Sequence, residues 1–191
     1  MLFRSTEMNQ IADDLTLLVR AQERKSVPLV EVPLDAVLAT VAARHAPAAR
    51  AAGVEIRVDA PTTLRAYAEP RLLDRVFDNL VQNAIRHSPD GGTVTLSGRH
   101  APAPDTGEWT ADQAVITVRD GGPGIPAEER ERVFDRFYRL DRSRSRQTGG
   151  SGLGLAIARE IVQLFNGTIR VVDTDGPGTT IETRLPGGAH A

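Results

Sequence analysis

The sequence has no cysteine, and Lys25 is its single lysine among 191 residues. Without cysteine, the chain cannot form disulfides, perform thiol catalysis or bind metals through thiolates. Because Lys25 lies far from every glycine-rich segment, a lysine-dependent P-loop is excluded as well. No apolar run approaches the length of a membrane span and the first residues lack a signal-peptide pattern, so we expect a cytoplasmic domain.

An excess of charge of either sign is also missing, since 23 basic residues oppose 25 acidic ones and the net charge is −2. This balance gives no reason to expect a nucleic-acid partner. Hydrophobic residues make up 40% of the chain and charged residues 25%, which is typical of a soluble globular domain. The length suits one domain with a short extension.

The beginning of the chain predicts a helix over residues 5–24 with a narrow apolar seam. The seam has the spacing of a coiled coil or bundle, at Met8, Ile11, Leu15 and Leu18. Either this helix docks on its own domain, or it is one piece of an oligomeric bundle. We therefore divide the chain into a helix at 1–25, a linker at 26–33, a domain at 34–187 and a tail at 188–191.

Helical and extended patterns are mixed through the rest of the chain. Caps, prolines and glycines predict helices over 34–52, 70–87, 126–137 and 152–165. Apolar and β-branched runs predict strands over 54–58, 65–68, 93–97, 114–118, 168–173 and 179–185. The last two strands form a hairpin signal through Asp175 and Gly176, so we predict an α+β fold, a two-layer α/β sandwich.

The helix predicted over 70–87 carries four polar side chains on one face, at Asn79, Asn83, Arg86 and His87. Asparagine is a poor helix former, so two of them in mid-helix need a reason. A carboxamide oxygen is a suitable ligand for Mg²⁺, which prefers oxygen. The alternative is a solvated helix face on which the asparagines occur by chance.

Two glycine-rich segments follow. Asp120 follows a predicted strand and precedes Gly122, Gly124 and Ile125. Its carboxylate can accept a hydrogen bond from an exocyclic amine such as that of adenine. An ordinary turn explains this segment equally well. Residues 149–155 open a helix, where backbone N–H groups and the helix dipole favour a phosphate; a flexible linker is the alternative.

A third glycine-containing segment, Gly176–Thr179, is explained almost completely by a hairpin turn. Residues 140–151 are polar and arginine-rich, and we expect them to be mobile.

In this order, the four segments resemble the N, G1, G2 and G3 boxes of the family that joins histidine kinases with Hsp90, MutL and DNA gyrase B. Residues 134–139 also resemble the F box of histidine kinases. The resemblance implies the Bergerat-type ATP-binding fold, a mixed sheet covered on one face by helices, with ATP and Mg²⁺ as cofactors.

The resemblance also assigns roles to residues. Asn83 would be the magnesium ligand, and Asn83, Arg86 and Arg139 the residues of the transfer step. Arg86 and His87 stand where the family often has lysine and tyrosine. The nucleotide contacts would come from Asn79, Asn83, His87, Asp120, Gly122, Gly124, Ile125, Tyr138, Gly150, Gly152, Leu153, Gly154, Leu155 and Thr179.

The resemblance favours a kinase over an ATP-driven clamp. Hydrolysing members of the family carry a glutamate where this chain has Asn79, which cannot take a proton from water at neutral pH. The implied protein is a two-component sensor histidine kinase, and the alternatives are an anti-sigma-factor-type serine kinase or a non-catalytic nucleotide-binding module. The N-terminal seam resembles the end of the second helix of the dimerisation bundle.

None of the four histidines precedes an acidic residue, so none resembles the phosphoacceptor, and we expect His45 to be an ordinary surface residue. The implied partners are therefore the phosphoacceptor bundle of the same kinase, dimeric in the parent, and a response regulator. We expect the parent protein to be membrane-anchored.

Overall fold

The computed structural model describes residues 28–102, 112–140, 151–173 and 176–187. Four predicted features lie outside these residues: the N-terminal helix, residues 141–150 (which include Gly150), Asp175 of the hairpin turn, and the tail at 188–191.

The described residues form seven strands and three α-helices. The strands are β1 Val30–Pro33, β2 Glu55–Asp59, β3 Arg65–Ala68, β4 Thr93–Ala101, β5 Gln113–Asp120, β6 Thr168–Val172 and β7 Thr179–Pro186. The helices are α1 Leu34–Ala51, α2 Pro70–His87 and α3 Gly154–Leu164, and two short 3₁₀ helices cover Ala127–Glu129 and Arg132–Phe134.

Five strands form a mixed sheet in the order β2-β4-β5-β7-β6, in which only the β2–β4 pair is parallel. On β5, alternate residues Ala114, Ile116 and Val118 are buried in the core. Helix α2 packs between α1 and α3 and contacts β5. This arrangement confirms the predicted two-layer fold, including the local pairing of β6 with β7.

Helix α2 begins and ends as its sequence predicts. Pro70 occupies the first turn, and the Glu69 carboxylate accepts a hydrogen bond from the Leu72 N–H at 2.7 Å. The helix buries an apolar face that includes Phe77 and Leu80, and it stops at Ser88, before Pro89. Local signals therefore fix the element that carries most of the candidate site.

Two segments differ from the sequence prediction. The helix predicted over 126–137 is replaced by the two 3₁₀ helices, because the Phe137 N–H donates to the Gly152 carbonyl at 3.0 Å instead of joining a helical ladder. Residues 30–33, assigned to the linker, form β1 and pair antiparallel with β3, which buries Val32 opposite Ala66.

Candidate functional site

Three elements converge at one edge of the helical layer: the second half of α2, the end of β5 and the start of α3. Asn79 on α2 lies against Gly154, where an added Cβ would be 3.6 Å from the Asn79 side-chain amide. Asp120 ends β5, and its Cα pairs with that of Thr179 at the start of β7. Residues predicted from separate parts of the sequence therefore meet in space.

Asn79 is 8% exposed, and its Nδ2 has no hydrogen-bond partner among the described residues. A buried donor without an acceptor costs about 1–3 kcal/mol, so the native chain needs a reason to retain it. The neighbouring start of α3 adds unpaired backbone N–H groups and the positive end of a helix dipole. Together these groups make a donor-rich site that fits an anion such as a phosphate.

Asp120 provides a hydrogen-bond acceptor, in contrast to the donors at Asn79 and the start of α3. Its Oδ1 accepts a hydrogen bond from the Gly122 N–H at 2.8 Å, and the Thr179 backbone N–H also donates to the carboxylate. Burial raises the pKa of Asp120, and these two bonds and His87 only partly oppose that shift. A carboxylate has about four acceptor sites, so Asp120 can still accept from a ligand amine.

The glycines around Asp120 are required by close backbone contacts. A Cβ on Gly122 would lie 2.6 Å from the His87 carbonyl oxygen. Gly178 has φ +120°, and a Cβ there would lie 2.1 Å from the Asp120 carbonyl oxygen. The hairpin turn before β7 therefore packs against Asp120, in agreement with the resemblance of this segment to the G3 box, although the turn alone had explained its sequence almost completely.

His87 lies between charges of both signs at the end of α2. Partial burial, Arg86 and Arg139 lower the pKa of His87, while Asp120 opposes them. The structure therefore brings Arg139, the last residue of the F-box segment, close enough to His87 to interact electrostatically. Two arginines beside a histidine that resists protonation keep this region favourable for an anion.

Asn83 follows Asn79 by one helical turn and is half-buried. No group of three or more histidine, aspartate or glutamate residues that could hold a metal exists in the described parts of the chain. A magnesium ion at this site would therefore take one amide oxygen from Asn83 and its remaining ligands from water or bound phosphate.

The predicted contacts Tyr138 and Gly152 flank the arginine-rich segment 140–151 in the sequence. Gly152 has φ +70°, and a Cβ there would lie 3.0 Å from the Phe137 backbone. The Tyr138 hydroxyl donates to Glu129, and the Arg132 guanidinium stacks 4.6 Å from the Tyr138 ring centre. Leu153 is fully buried and anchors the start of α3, whereas Leu155 is half-buried.

Two cavities border the site. One, of about 350 Å³, includes Gly124 and Ile125 in its lining but neither Asn79 nor Asp120, so it overlaps only the edge of the predicted contacts. The other, of about 170 Å³, lies between α1 and α2 and is lined by Arg44, His45, Arg75, Asp78, Asn79 and Gln82.

His45 is not the ordinary surface residue expected from the sequence. Its side chain is 17% exposed, and its Nε2 lies 2.9 Å from Oδ1 of Asp78. No local pattern signals this pair, because 33 positions separate the two residues.

Comparison with known proteins agrees with this geometry. Residues 68–189 match the family described as histidine kinase-, DNA gyrase B- and HSP90-like ATPases. This range includes α2, the end of β5, the start of α3 and the turn before β7, which are the elements that build the site.

Two curated relatives are sensor kinases. The chain is 41% identical over 184 residues to the sensor-like histidine kinase SenX3 of Mycobacterium tuberculosis, covering 94% of this chain and 43% of the relative. It is 46% identical over 114 residues to the sensor histidine kinase WalK of Bacillus subtilis, covering 60% of this chain and 18% of the relative. The chain thus spans less than half the length of these relatives.

Two solved structures are similar. The mycobacterial sensor histidine kinase MprB has a TM-score of 0.68 and 31% identity, covering 83% of this chain and 97% of that one. Full-length ShkA in complex with AMPPNP has a TM-score of 0.77 and 26% identity, covering 97% of this chain and 37% of that one. Within the described ranges, no helix has the length and apolar character needed to cross a membrane.

Proposed function

The chain belongs to the family of histidine kinase-, DNA gyrase B- and HSP90-like ATPases, and on that premise we propose that it is the ATP-binding catalytic domain of a two-component sensor histidine kinase. It transfers the γ-phosphoryl group of ATP to a histidine on a bundle domain of the same kinase. The observation that carries this proposal is Asn79, a buried amide beside the start of α3, at the position where the family resemblance places a glutamate in hydrolysing members. Its Nδ2 has no protein acceptor within the described ranges and is available to a phosphate oxygen.

Each part of the site has a distinct task in this proposal. Asp120 accepts a hydrogen bond from the adenine amine, and the Gly122 N–H holds the carboxylate in place. The start of α3 and Asn79 donate to phosphate oxygens, and Asn83 supplies an amide oxygen to Mg²⁺. The bound ion would neutralise charge on the phosphate oxygens.

The protein supplies positioning rather than proton transfer. Asn79 cannot act as a base, so water near the phosphates is not activated and hydrolysis does not compete with transfer. Arg86 and Arg139, near His87, add positive charge where negative charge develops. The base that frees the acceptor nitrogen would come from the bundle domain.

The relatives' names suggest the larger assembly to which this domain belongs. SenX3 and WalK are sensor kinases, so we propose a dimeric parent, anchored in a membrane, that passes its phosphoryl group to a response regulator.

The test supplies labelled ATP, Mg²⁺ and a purified phosphoacceptor bundle to this chain. We expect acid-labile label on the bundle histidine and none on the chain alone. Transfer to a serine of a supplied anti-sigma-factor-type substrate would support the serine kinase instead, and nucleotide binding without transfer to either protein would support a binding module.

Asn83→Ala should lower transfer about 100-fold, because an ion that neutralises phosphate charge is worth several kcal/mol. The matched control is Arg71→Ala, which changes an exposed residue in the first turn of the same helix. Normal transfer by the Asn83 variant would remove the magnesium assignment.

A further inference from the structure

We propose that His45 and Asp78 are positioning residues that hold Asn79 against the start of α3. The catalytic consequence of this role rests on the proposed function, but its structural part concerns the nucleotide-free chain alone. Neither residue is among the predicted nucleotide contacts, although Asp78 lies on the N-box helix, and neither contacts Gly154 in the way that Asn79 does.

The physical basis is a set of three polar contacts between α1 and α2, two ion pairs of Arg44 and one hydrogen bond of His45. His45 Nε2 lies 2.9 Å from Oδ1 of Asp78, and Arg44 Nη1 lies 2.6 Å from Oδ2 of the same carboxylate. The other Arg44 nitrogen, Nη2, lies 3.0 Å from Oδ2 of Asp74, one turn earlier on α2. Both oxygens of Asp78 are thus held by α1, at the position directly before Asn79.

The contact between His45 and Asp78 is stronger than an exposed ion pair, because the two side chains are only 17% and 22% exposed. Burial alone would raise the pKa of Asp78, but hydrogen bonds from His45 and Arg44 outweigh it and hold the pKa below its ordinary value. An ionised carboxylate only accepts, so Nε2 of His45 carries the hydrogen in this pair.

Asn79 depends on these contacts because little else fixes its orientation. Its Nδ2 has no partner among the described residues, so no hydrogen bond of that nitrogen holds the side chain. On one side it touches Gly154, and on the other it lines the cavity of about 170 Å³ between α1 and α2. The apolar face of α2 is packed in the core, whereas on the cavity side the polar contacts with α1 fix the segment that carries Asp78 and Asn79.

Loss of the His45 contact should let the middle of α2 move toward or away from the cavity. A displacement of about 1 Å at a group that orients a reacting phosphate can cost about 100-fold in rate. Adenine recognition should persist, since Asp120 lies on β5 and does not depend on the position of Asp78. We thus expect a fall in kcat with little change in ADP affinity.

The experiment compares three substitutions in the full chain. Glutamine places its side-chain N–H₂ near the position of histidine Nε2, whereas asparagine is too short and leucine has no donor. We expect His45→Leu and His45→Asn to lower kcat for transfer to a supplied bundle by about tenfold or more, and His45→Gln to stay within about threefold of the original rate. Arg57→Leu, which breaks an exposed pair with Glu55, is the control and should change nothing.

A second readout needs no activity. The Asn79 side-chain amide resonances, identified by their loss in Asn79→Ala, should shift in the leucine and asparagine variants and return in the glutamine variant. Unchanged resonances with an unchanged kcat in His45→Leu would overturn the inference. If the unsubstituted chain transfers nothing, the proposed function fails, while the resonances still decide whether His45 positions Asn79.

Discussion

At the scale of single residues, the site is built from groups that cost folding free energy. Asn79 buries a donor without an acceptor among the described residues, and Asp120 buries a carboxylate whose pKa is raised mainly by burial. A carboxyl whose pKa is raised on folding stabilises the chain below its unfolded pKa. That contribution is lost as pH rises through the folded pKa, so above that pKa the ionised Asp120 weakens the nucleotide-free fold.

Asp120→Asn should therefore separate stability from binding. The amide oxygen can still accept from the Gly122 and Thr179 N–H groups, while the buried charge is gone. We expect the melting temperature of the nucleotide-free chain at pH 7 to stay equal or rise. ADP affinity should fall about tenfold, since a hydrogen bond to a charged acceptor exceeds one to a neutral acceptor by roughly 1–1.5 kcal/mol.

Thermal melts and ADP titrations at several pH values check this prediction. The decline in stability above the ordinary carboxyl range, expected for the unsubstituted chain, should be weaker in the variant. A variant that melts lower and binds ADP normally would contradict both expectations.

At the scale of elements, several contacts join residues 135–137 to the start of α3. The Phe137 N–H bonds to the Gly152 carbonyl, and Phe137 itself has φ +63° although it is not glycine. Two ion pairs, Arg136–Glu160 and Arg159–Asp135, tie the same segment to α3. The start of α3 is therefore positioned by its contacts with residues 135–137 as well as by the sheet.

Gly152→Ala should disturb this junction in two ways. The left-handed φ of +70° costs a non-glycine residue about 1–2 kcal/mol, and the added Cβ would lie 3.0 Å from the Phe137 backbone. We expect lower stability together with a several-fold loss of ATP affinity, because the phosphate-binding end of α3 would shift.

Gly91→Ala provides the matched control for that change. Gly91 has φ +73°, but a Cβ there meets no atom within 4 Å. Chemical denaturation should show only the loss of stability that the left-handed φ causes, and ATP titration should show no loss of affinity. Equal losses of ATP affinity in the two variants would mean that the contact with Phe137 is unimportant.

At the scale of the whole molecule, the sheet separates two faces with different tasks. The helices and the site cover one face. On the other, Glu182 of β7 is bound by Arg170 and Arg184, each with a nitrogen 2.8 Å from Oε1, and it is 6% exposed. Burial would raise the pKa of Glu182, but the two arginines outweigh it and lower the pKa below its ordinary value.

Glu182→Gln should consequently destabilise the fold without affecting the site. A carboxyl with a lowered folded pKa stabilises above its unfolded pKa, and this stability is lost as pH falls through the folded pKa. We expect a loss of about 1.5–3 kcal/mol at pH 7 that shrinks in acid, with unchanged ADP affinity. Urea denaturation at both pH values tests it, with Glu55→Gln on exposed β2 as a neutral control.

The sequence separation between contacting residues determines how much of the fold and of the site could be predicted. Helix α2 was predictable because Glu69, Pro70 and Pro89 are local signals, and its polar face followed from helical spacing. Strand β1 was not, since its partner β3 lies more than thirty residues away. The 3₁₀ segments and the His45–Asp78 pair depend on contacts that exist only after folding.

The hydrogen bond between Phe137 and Gly152 has a consequence for how this domain can diversify. Because this hydrogen bond joins the two ends of the loop, the number of residues between them can change without moving residues 135–137 or the start of α3. Doubling the length of a closed loop costs only about 0.6 kcal/mol. Changes of length within residues 141–149, which leave the predicted contacts Tyr138, Arg139 and Gly150 in place, should therefore be accepted without loss of nucleotide binding.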